Sequence, residues 1–413
     1  MNNIKTKAPN YTFALIVMFA VLFLIGFITT MNNSMIEFCK QAFNLKDSQG
    51  QLVNTAFYGA YALSIPFGLM MNKIGYKKTL LLGLAIVGIG FIINYLGISS
   101  LLGMETSVIY SVFLGSMFIV ALGIVMLQLV ANPYVMVLGS PEKGAFRMTL
   151  ANALNSAATT VAPVFITYVI IAGKAPTPDA VPTPYLGLGI FTLILCAILF
   201  FMKLPNINEA EQAEEASGEH KEYKSSVFQY PHVWLGMLGI FFYMGIELGV
   251  PSMLPAYFKS NPSLLDYGTA TEFLSYYWGG MMIGRFAGAI ILNKFKPRHI
   301  LSVCLICGAI CVATSFVLSG IASVYAMLAA GLFHSVMWPL VFNLGLQELG
   351  PHTKAASGII NLGVVGGATL PLVMGAIVDN PALGVGYAIA LMFLYYIYVF
   401  WFCNFGSKIG LKK

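Results

Sequence analysis

Long apolar runs separated by short polar stretches dominate this sequence. A helix that crosses a bilayer needs about 20 mainly apolar residues, and twelve runs of that length are present. We number them spans 1 to 12, at residues 12–38, 50–72, 78–98, 107–138, 146–172, 184–203, 231–257, 268–293, 299–319, 323–347, 355–378 and 384–405. The pattern therefore predicts an all-α polytopic membrane protein with twelve transmembrane helices.

The composition indicates that the core of this protein lies in lipid. Of the 413 residues, 58% are hydrophobic and 9% are charged, and the mean hydropathy is +0.81. Soluble domains carry about 25% charged residues, so this chain cannot cover a globular surface with charge. The net charge of +6 does not indicate a nucleic-acid partner, because the basic residues are scattered singly between apolar runs.

The basic residues predict the orientation of the spans. If the N-terminus is cytoplasmic, seventeen Lys and Arg residues fall in cytoplasmic loops and four in outer loops. Cytoplasmic loops carry such an excess, so we expect both termini in the cytoplasm and the protein in the cell (inner) membrane. Lys5 and Lys7 precede span 1 without a small-residue cleavage site, so that span is expected to be retained and not removed as a signal peptide.

The cysteines favour neither disulfides nor a metal site. Cys304, Cys307 and Cys311 have helical spacing, but no His or acid accompanies them. Small residues that pack between helices are the favoured interpretation. We expect no metal and no cofactor.

Residues 203–230 divide the spans into two sets of six. The stretch is acidic and polar and is predicted to be a cytoplasmic linker, either a solvated connector or a regulatory segment. The expected organisation is an N-terminal bundle (1–202), the linker (203–230) and a C-terminal bundle (231–413).

Motifs recur in the two halves at an offset close to half the chain length. The pairs are Asn72-Lys73 with Asn293-Lys294, Asn132-Pro133 with Trp338-Pro339, and Ala162-Pro163 with Leu370-Pro371. Parallel six-span repeats are the architecture of major facilitator transporters. The repeat therefore predicts two pseudo-symmetric six-helix bundles.

Amides interrupt the apolar pattern of spans 4 and 5. Gln128 and Asn132 are four residues apart, and Asn152 and Asn155 are three apart, so each pair shares a helix face. An unpaired amide in hydrocarbon is costly. These faces are predicted to point at protein, as interhelical hydrogen bonds, or at a water-filled cavity.

Several motifs resemble a known family. The loop GLMMNKIGYKK (68–78) resembles the loop between spans two and three of the major facilitator superfamily, with Asn72 where that family usually has Asp. Four stretches resemble the fucose permease family of sugar transporters: ANPYVMVLG (131–139), FRMTLANALNS (146–156), YWGGMMIGRF (277–286) and SGIINLGVVGG (357–367). The resemblance implies the major facilitator fold, alternating access by two bundles, and a small sugar, a hexose or deoxyhexose, as cargo.

Two positions depart from the family pattern. In the permease that gives the family its name, an Asp in span 1 and a Glu in span 4 serve proton coupling and sugar binding. The aligned residues here are Asn33 and Gln128. An amide can hydrogen-bond a sugar hydroxyl but cannot carry a proton, so the coupling scheme does not transfer unchanged.

Sugar sites combine amide or carboxylate hydrogen bonds with aromatic platforms. The candidate substrate-binding residues are Asn32, Asn33, Gln128, Asn152, Asn155, Tyr243, Glu247, Tyr277, Trp278 and Asn361. Tyr276, His334, Trp338 and Asn343 are further possible contributors. For the aromatic residues, packing or an interfacial belt is an equal alternative.

Glu247 lies deep in span 7 and is the candidate coupling residue. An intramembrane carboxylate is a functional-site hypothesis by default, and the alternative is a carboxylate neutralised by a neighbour. The resemblance assigns Lys73, Lys77 and Arg285 to gating. Proton symport, sodium symport and uniport all stay open.

Other classes fit less well. A channel would want a repeated constriction ring, an intramembrane hydrolase would need a motif such as His-Glu-x-x-His, and a nutrient sensor would normally carry an output domain. We therefore expect a transporter and not an enzyme, working as a monomer on a small sugar with a proton, or sodium, as co-substrate.

Overall fold

The computed structural model describes residues 12–137, 144–171, 175–202, 204, 223–292, 294–349 and 352–411. Within these ranges the chain is helical, with short turns and no strand. Ten stretches in this part of the chain are long and apolar enough to cross a membrane. The protein is an all-α, multi-pass membrane protein.

The N-terminal half contains five long helices and one broken helix. Spans 1, 3, 4, 5 and 6 are the helices Thr12–Phe43, Tyr76–Leu101, Thr106–Val137, Gly144–Phe165 and Pro182–Phe201. Span 2 consists of the helices Asp47–Gly50, Leu52–Gly59 and Ser64–Ile74, and the 3-10 turn Ala60–Leu63 joins the last two. Pro66 cannot donate a backbone hydrogen bond to the carbonyl of Ala62, which explains why the helix tightens at this turn.

The described part of the C-terminal half contains three continuous helices followed by three interrupted ones. Spans 7, 8 and 9 are Pro231–Ser260, Ala270–Leu292 and Pro297–Val317. Spans 10, 11 and 12 are each interrupted, giving Ile321–His334 and Met337–Gly345, Thr353–Leu362 and Gly366–Asp379, and Val385–Ala390 and Met392–Asn404. Pro231 and Pro297 begin their helices, where a proline removes no helical hydrogen bond.

Spans 2 and 8 are absent from the ten long apolar stretches of the described chain. Span 2 is divided by its turn. Span 8 is continuous, but it carries Arg285, two tyrosines and several glycines. Its lower hydropathy agrees with a helix that faces the other half on one side, while Ile283, Phe286 and Ile290 are exposed on another.

Spans 2, 5, 8 and 11 make most of the contacts between the two halves of the described chain, and we term this contact zone the seam. Span 2 packs along span 11, and span 5 packs along span 8. Glycines permit the close approach: a Cβ at Gly367 would lie 2.8 Å from the ring of Tyr58, and one at Gly375 would lie 3.1 Å from Gln51 Cγ. The seam therefore depends on small residues in span 11.

We term the end of the bundle where span 1 begins the terminal end, and the opposite end the distal end. At the distal end the carboxylate of Asp379 accepts hydrogen bonds from the backbone N–H groups of Asp47 (3.1 Å) and Ser48 (2.9 Å). Further along the seam, the hydroxyl of Thr55 donates to the carbonyl of Ala368 at 2.8 Å. Direct hydrogen bonds between the halves thus close the distal end.

Residues 205–222 of the predicted linker lie outside the described residues. The linker's described end, residues 223–230, contains the 3-10 turn Val227–Gln229. The division into two bundles and a linker stays a prediction.

Candidate functional site

A cavity of about 250 Å³ lies at the seam between the halves. Small-molecule sites usually measure about 300–1,000 Å³, so this cavity suits one small solute. Its lining comes from both halves and includes Leu22, Gly26, Thr29, Thr30, Tyr58, Tyr61, Gln128, Asn155, Thr159, Glu247, Trp278, Arg285, Leu292 and Trp338. The lining reaches Leu292 near the terminal end, whereas the distal seam at residues 47–55 and 368–379 contributes no residue to it.

The N-terminal half contributes two half-buried amides, Gln128 and Asn155. The amide nitrogen of Asn155 donates to the carbonyl of Leu22 at 2.8 Å. A Cβ at Gly26 would lie 2.6 Å from the carbonyl oxygen of Asn155 and 2.7 Å from its side-chain nitrogen. The absence of a side chain at Gly26 therefore lets span 5 approach span 1 and holds Asn155 at the cavity.

Arg285 connects three helices at the edge of the cavity. Pro339 has no N–H to donate to the carbonyl of Ser335, and the Nε of Arg285 donates to that carbonyl at 3.2 Å. Its Nη1 also donates to the hydroxyl of Ser156 at 2.6 Å and to Oδ1 of Asn155 at 3.4 Å. Arg285 therefore braces the break in span 10 and joins span 8 to span 5 of the other half.

Glu247 is the one carboxylate among the described residues that line the cavity. Arg285 lines the same cavity, whereas the hydroxyl of Tyr243 uses its one proton on the carbonyl of His334. A carboxylate at this place shares its cavity with a positively charged side chain. Such a group can interact with a cargo hydroxyl, with a cation or with a proton.

Two polar atoms at the cavity lack partners. The indole Nε1 of Trp278 and the hydroxyl of Thr29 are buried and make no hydrogen bond within the described part of the chain. A buried polar group without a partner costs about 1–3 kcal/mol. Both residues line the cavity, but these two atoms are themselves buried.

Five predicted site residues lie outside the cavity lining. Asn32 and Asn33 hydrogen-bond Asn54, at 3.4 and 3.3 Å, in a buried amide cluster. Tyr243 donates to the backbone carbonyl of His334 at 3.1 Å. Tyr277 and Asn361 are also buried away from the lining. Direct sugar contact by these five residues stays a prediction.

Other predicted residues have separate outcomes. The side chain of Asn152 lies outside the described residues. Lys77 Nζ donates to the carbonyls of Met202 (2.6 Å) and Phe200 (3.1 Å), at the end of span 6, while Lys73 is exposed. The predicted residues that the fold brings together at the cavity are Gln128, Asn155, Glu247, Trp278, Arg285 and Trp338.

Sequence reasoning missed several lining residues, among them Thr29, Thr30, Tyr58, Tyr61 and Thr159. Tyr58 and Tyr61 are three residues apart and their ring centroids lie 6.1 Å apart, a spacing that places them on one helix face. That spacing is the signal in the sequence that could have identified these two tyrosines. Threonines in apolar spans carry no comparable signal, because they can bond the preceding helical turn.

Comparisons with known proteins add to this geometry. The sequence model of the Major Facilitator Superfamily matches residues 18–371. This chain belongs to the Major Facilitator Superfamily. The predicted fold class and family resemblance are thereby confirmed.

Several curated relatives of this superfamily member match along almost their whole length. A glucose/galactose transporter of Brucella abortus biovar 1 (strain 9-941) is 36% identical over 411 residues, covering 98% of this chain and 96% of the relative. A putative glucose/galactose transporter of Helicobacter pylori (strain ATCC 700392 / 26695) is 34% identical, with coverage of 96% and 97%. An L-fucose-proton symporter of Escherichia coli (strain K12) is 26% identical, with coverage of 90% and 88%.

Solved structures agree on the fold. The crystal structure of the transporter FucP in the outward conformation has a TM-score of 0.70 at 24% identity, covering 96% of this chain and 99% of that one. The inward open xylose transporter XylE from E. coli has a TM-score of 0.71 at 15% identity, with coverage of 97% and 96%. At these identities the likeness establishes the fold alone.

Proposed function

We propose that this superfamily member carries a small neutral sugar, a hexose or deoxyhexose, across the cell (inner) membrane by alternating access coupled to protons. Both termini are proposed to face the cytoplasm, so the terminal end of the bundle faces inward. In this arrangement the distal seam closes the outer side, and the cavity reaches toward the cytoplasm.

The observation that carries this proposal is the mixed chemistry of the cavity. Gln128 and Asn155 supply amides that can donate to and accept from sugar hydroxyls, and Trp278 supplies an aromatic face together with an unpaired N–H. Amphipathic cargo with several hydroxyls and an apolar ring face would use both kinds of group. The cavity volume of about 250 Å³ favours one monosaccharide over a longer chain.

The relatives support the same class of cargo. The names of the Brucella abortus and Escherichia coli proteins describe glucose/galactose transport and L-fucose-proton symport. The present chain aligns with them along almost its whole length, so the cavity occurs in a comparable framework.

We infer that Glu247 carries the coupling proton. It is the one carboxylate among the described lining residues, and the aligned permease positions hold the amides Asn33 and Gln128, which do not titrate. Arg285 lines the same cavity as Glu247 and offers a counter-charge that belongs to the gate between spans 5 and 8. Protonation of Glu247 would release that attraction and link the proton to movement of the halves.

The deciding experiment is uptake into proteoliposomes that contain the purified protein. A panel of glucose, galactose, fucose and xylose is presented with an imposed proton gradient, with a sodium gradient, or with neither. We expect saturable uptake of a hexose or deoxyhexose that the proton gradient accelerates.

Each alternative has its own result in the same assay. Acceleration by sodium alone would support a sodium symporter, and gradient-independent exchange would support a uniporter. Binding of a sugar without any uptake would support a sensor. Lack of both binding and uptake across the panel would contradict the sugar proposal.

A further inference from the structure

A proline leaves one backbone carbonyl of span 7 without its helical partner. The carbonyl of Glu247 would normally accept from the N–H of residue 251, but Pro251 has none. The hydroxyl of Tyr277, on span 8, donates to this carbonyl at 2.8 Å. A side chain from the neighbouring helix therefore replaces the missing helical bond, at the residue whose carboxylate lines the cavity.

The direction of this bond fixes the hydrogen bonds behind it. A tyrosine hydroxyl has one proton, and a carbonyl can only accept, so the proton of Tyr277 is committed to Glu247. His334 Nδ1 lies 2.7 Å from the same hydroxyl and must therefore be its donor. In the neutral ring Nε2 is then the acceptor, and the hydroxyl of Tyr396 lies against Nε2 as its donor.

Packing holds this series of groups in place. Tyr277 and His334 are fully buried and neither lines the cavity. A Cβ at Gly331 would lie 2.9 Å from the ring of Tyr277, and one at Gly308 would lie 3.3 Å from His334 Nε2. The two rings therefore occupy space that is left free because residues 331 and 308 are glycines.

We propose that Tyr277 and His334 are positioning residues for Glu247. They take the place of the helical hydrogen bond missing at Pro251, fix the bend of span 7 there, and so set where the carboxylate of Glu247 stands in the cavity. The inference rests on the proposed coupling role of Glu247. The competing interpretation is that the two side chains only pack the C-terminal half.

The first test removes the hydroxyl and then restores the missing bond by another route. Tyr277→Phe leaves the Glu247 carbonyl without a donor, and we expect the KM for sugar to rise about fivefold and the pH profile of uptake to move. Pro251→Ala gives the carbonyl a backbone N–H partner. The double variant Tyr277→Phe with Pro251→Ala is therefore expected to return the KM and pH profile most of the way to the wild type, and the remaining difference reflects the Nδ1–H of His334, which still lacks its acceptor.

Tyr257→Phe is the matched control. The hydroxyl of Tyr257 also joins span 7 to span 10, through Ser323 at 2.8 Å, but it lies away from Glu247. We expect Tyr257→Phe to lower the thermal unfolding midpoint in detergent as much as Tyr277→Phe does. Its KM and pH profile should equal those of the wild type.

The second test uses the tautomer of His334. In His334→Asn the amide nitrogen can take the place of Nδ1 and donate to Tyr277. In His334→Gln the longer side chain carries its amide nitrogen to the place of Nε2. His334→Asn is therefore expected to keep the wild-type KM. His334→Gln leaves the bond from Tyr277 to the Glu247 carbonyl but removes the group that positions it, so we expect a smaller rise in KM than in Tyr277→Phe.

The results separate this inference from the proposed function. If the wild type takes up sugar but Tyr277→Phe and Tyr257→Phe change the KM equally, or if Pro251→Ala gives no rescue, the positioning role is overturned while sugar transport stays intact. A wild-type protein that takes up no sugar would overturn both. In that case, non-additive effects of Tyr277→Phe and Pro251→Ala on the unfolding midpoint would still show that the Tyr277 hydroxyl replaces the missing helical hydrogen bond.

Discussion

Replacing Asp379 with alanine is expected to open the distal end of the transporter. The carboxylate of Asp379 accepts two backbone hydrogen bonds from the start of span 2, at 3.1 and 2.9 Å. Hydrogen bonds to charged groups contribute about 1.5–3 kcal/mol each. Asp379 is partly exposed, so we reduce this to about 1 kcal/mol per bond.

The two bonds together therefore favour the closed distal end by about 2 kcal/mol, or about thirtyfold in the ratio of closed to open. The assay is maleimide labelling of a single cysteine introduced at Ala368, which is buried in the seam, in a background without the six native cysteines. When the open form is rare, the labelling rate follows its population. Asp379→Ala should raise that rate about thirtyfold.

Asp266→Ala is the control for this experiment. Asp266 is exposed in the loop between spans 7 and 8, also at the distal end, so its loss changes the local charge without touching the seam. Its labelling rate should equal that of the parent. An unchanged rate in Asp379→Ala would show that apolar packing of spans 2 and 11, and not the carboxylate, closes the distal end.

Three further predictions concern the cavity. Gln128→Ala should abolish saturable sugar uptake while the protein stays folded, because the cavity loses an amide that can both donate and accept. Glu247→Gln should transport sugar without acceleration by a proton gradient, because an amide cannot carry the proton. Gly26→Ala should cost about 1–3 kcal/mol of stability and slow uptake, since the new Cβ would lie 2.6 Å from the carbonyl of Asn155. Gly59→Ala, where a Cβ meets nothing within 4 Å, is its control and should change neither quantity.

Each of these can fail in a distinct way. Wild-type kinetics in Gln128→Ala would remove that residue from the sugar site. Proton acceleration retained in Glu247→Gln would move the coupling group elsewhere. A stable, fully active Gly26→Ala would show that spans 1 and 5 can separate without disturbing Asn155.

Much of the fold could be predicted because its signals are local. The length of an apolar run decides whether a helix can cross a bilayer. The observed helices begin and end within a few residues of the predicted spans, as with Pro231–Ser260 for residues 231–257. Breaks within spans were harder to predict. Span 10 is interrupted after His334, and the side chains that stabilise its break, such as Arg285, come from other helices.

The candidate site could be predicted only in part. Helical spacing shows that two residues share a face, but it does not show how far that face is rotated toward a neighbouring helix. Asn33 and Gln128 looked equivalent in sequence, as amides at two aligned permease positions. In the structure Gln128 lines the cavity, whereas Asn33 bonds Asn54 in a separate buried cluster.

The sequence by itself determined the fold class, the number of spans and the superfamily, because the length of each apolar run and the spacing of the motifs can be measured along the chain. Only the tertiary structure decided which polar groups meet. Tyr277 illustrates the difference. Its hydroxyl, on span 8, donates to the carbonyl of Glu247 on span 7, because Pro251 of span 7 has no N–H to donate there. Such a partnership depends on the relative position of two helices, which no local pattern specifies.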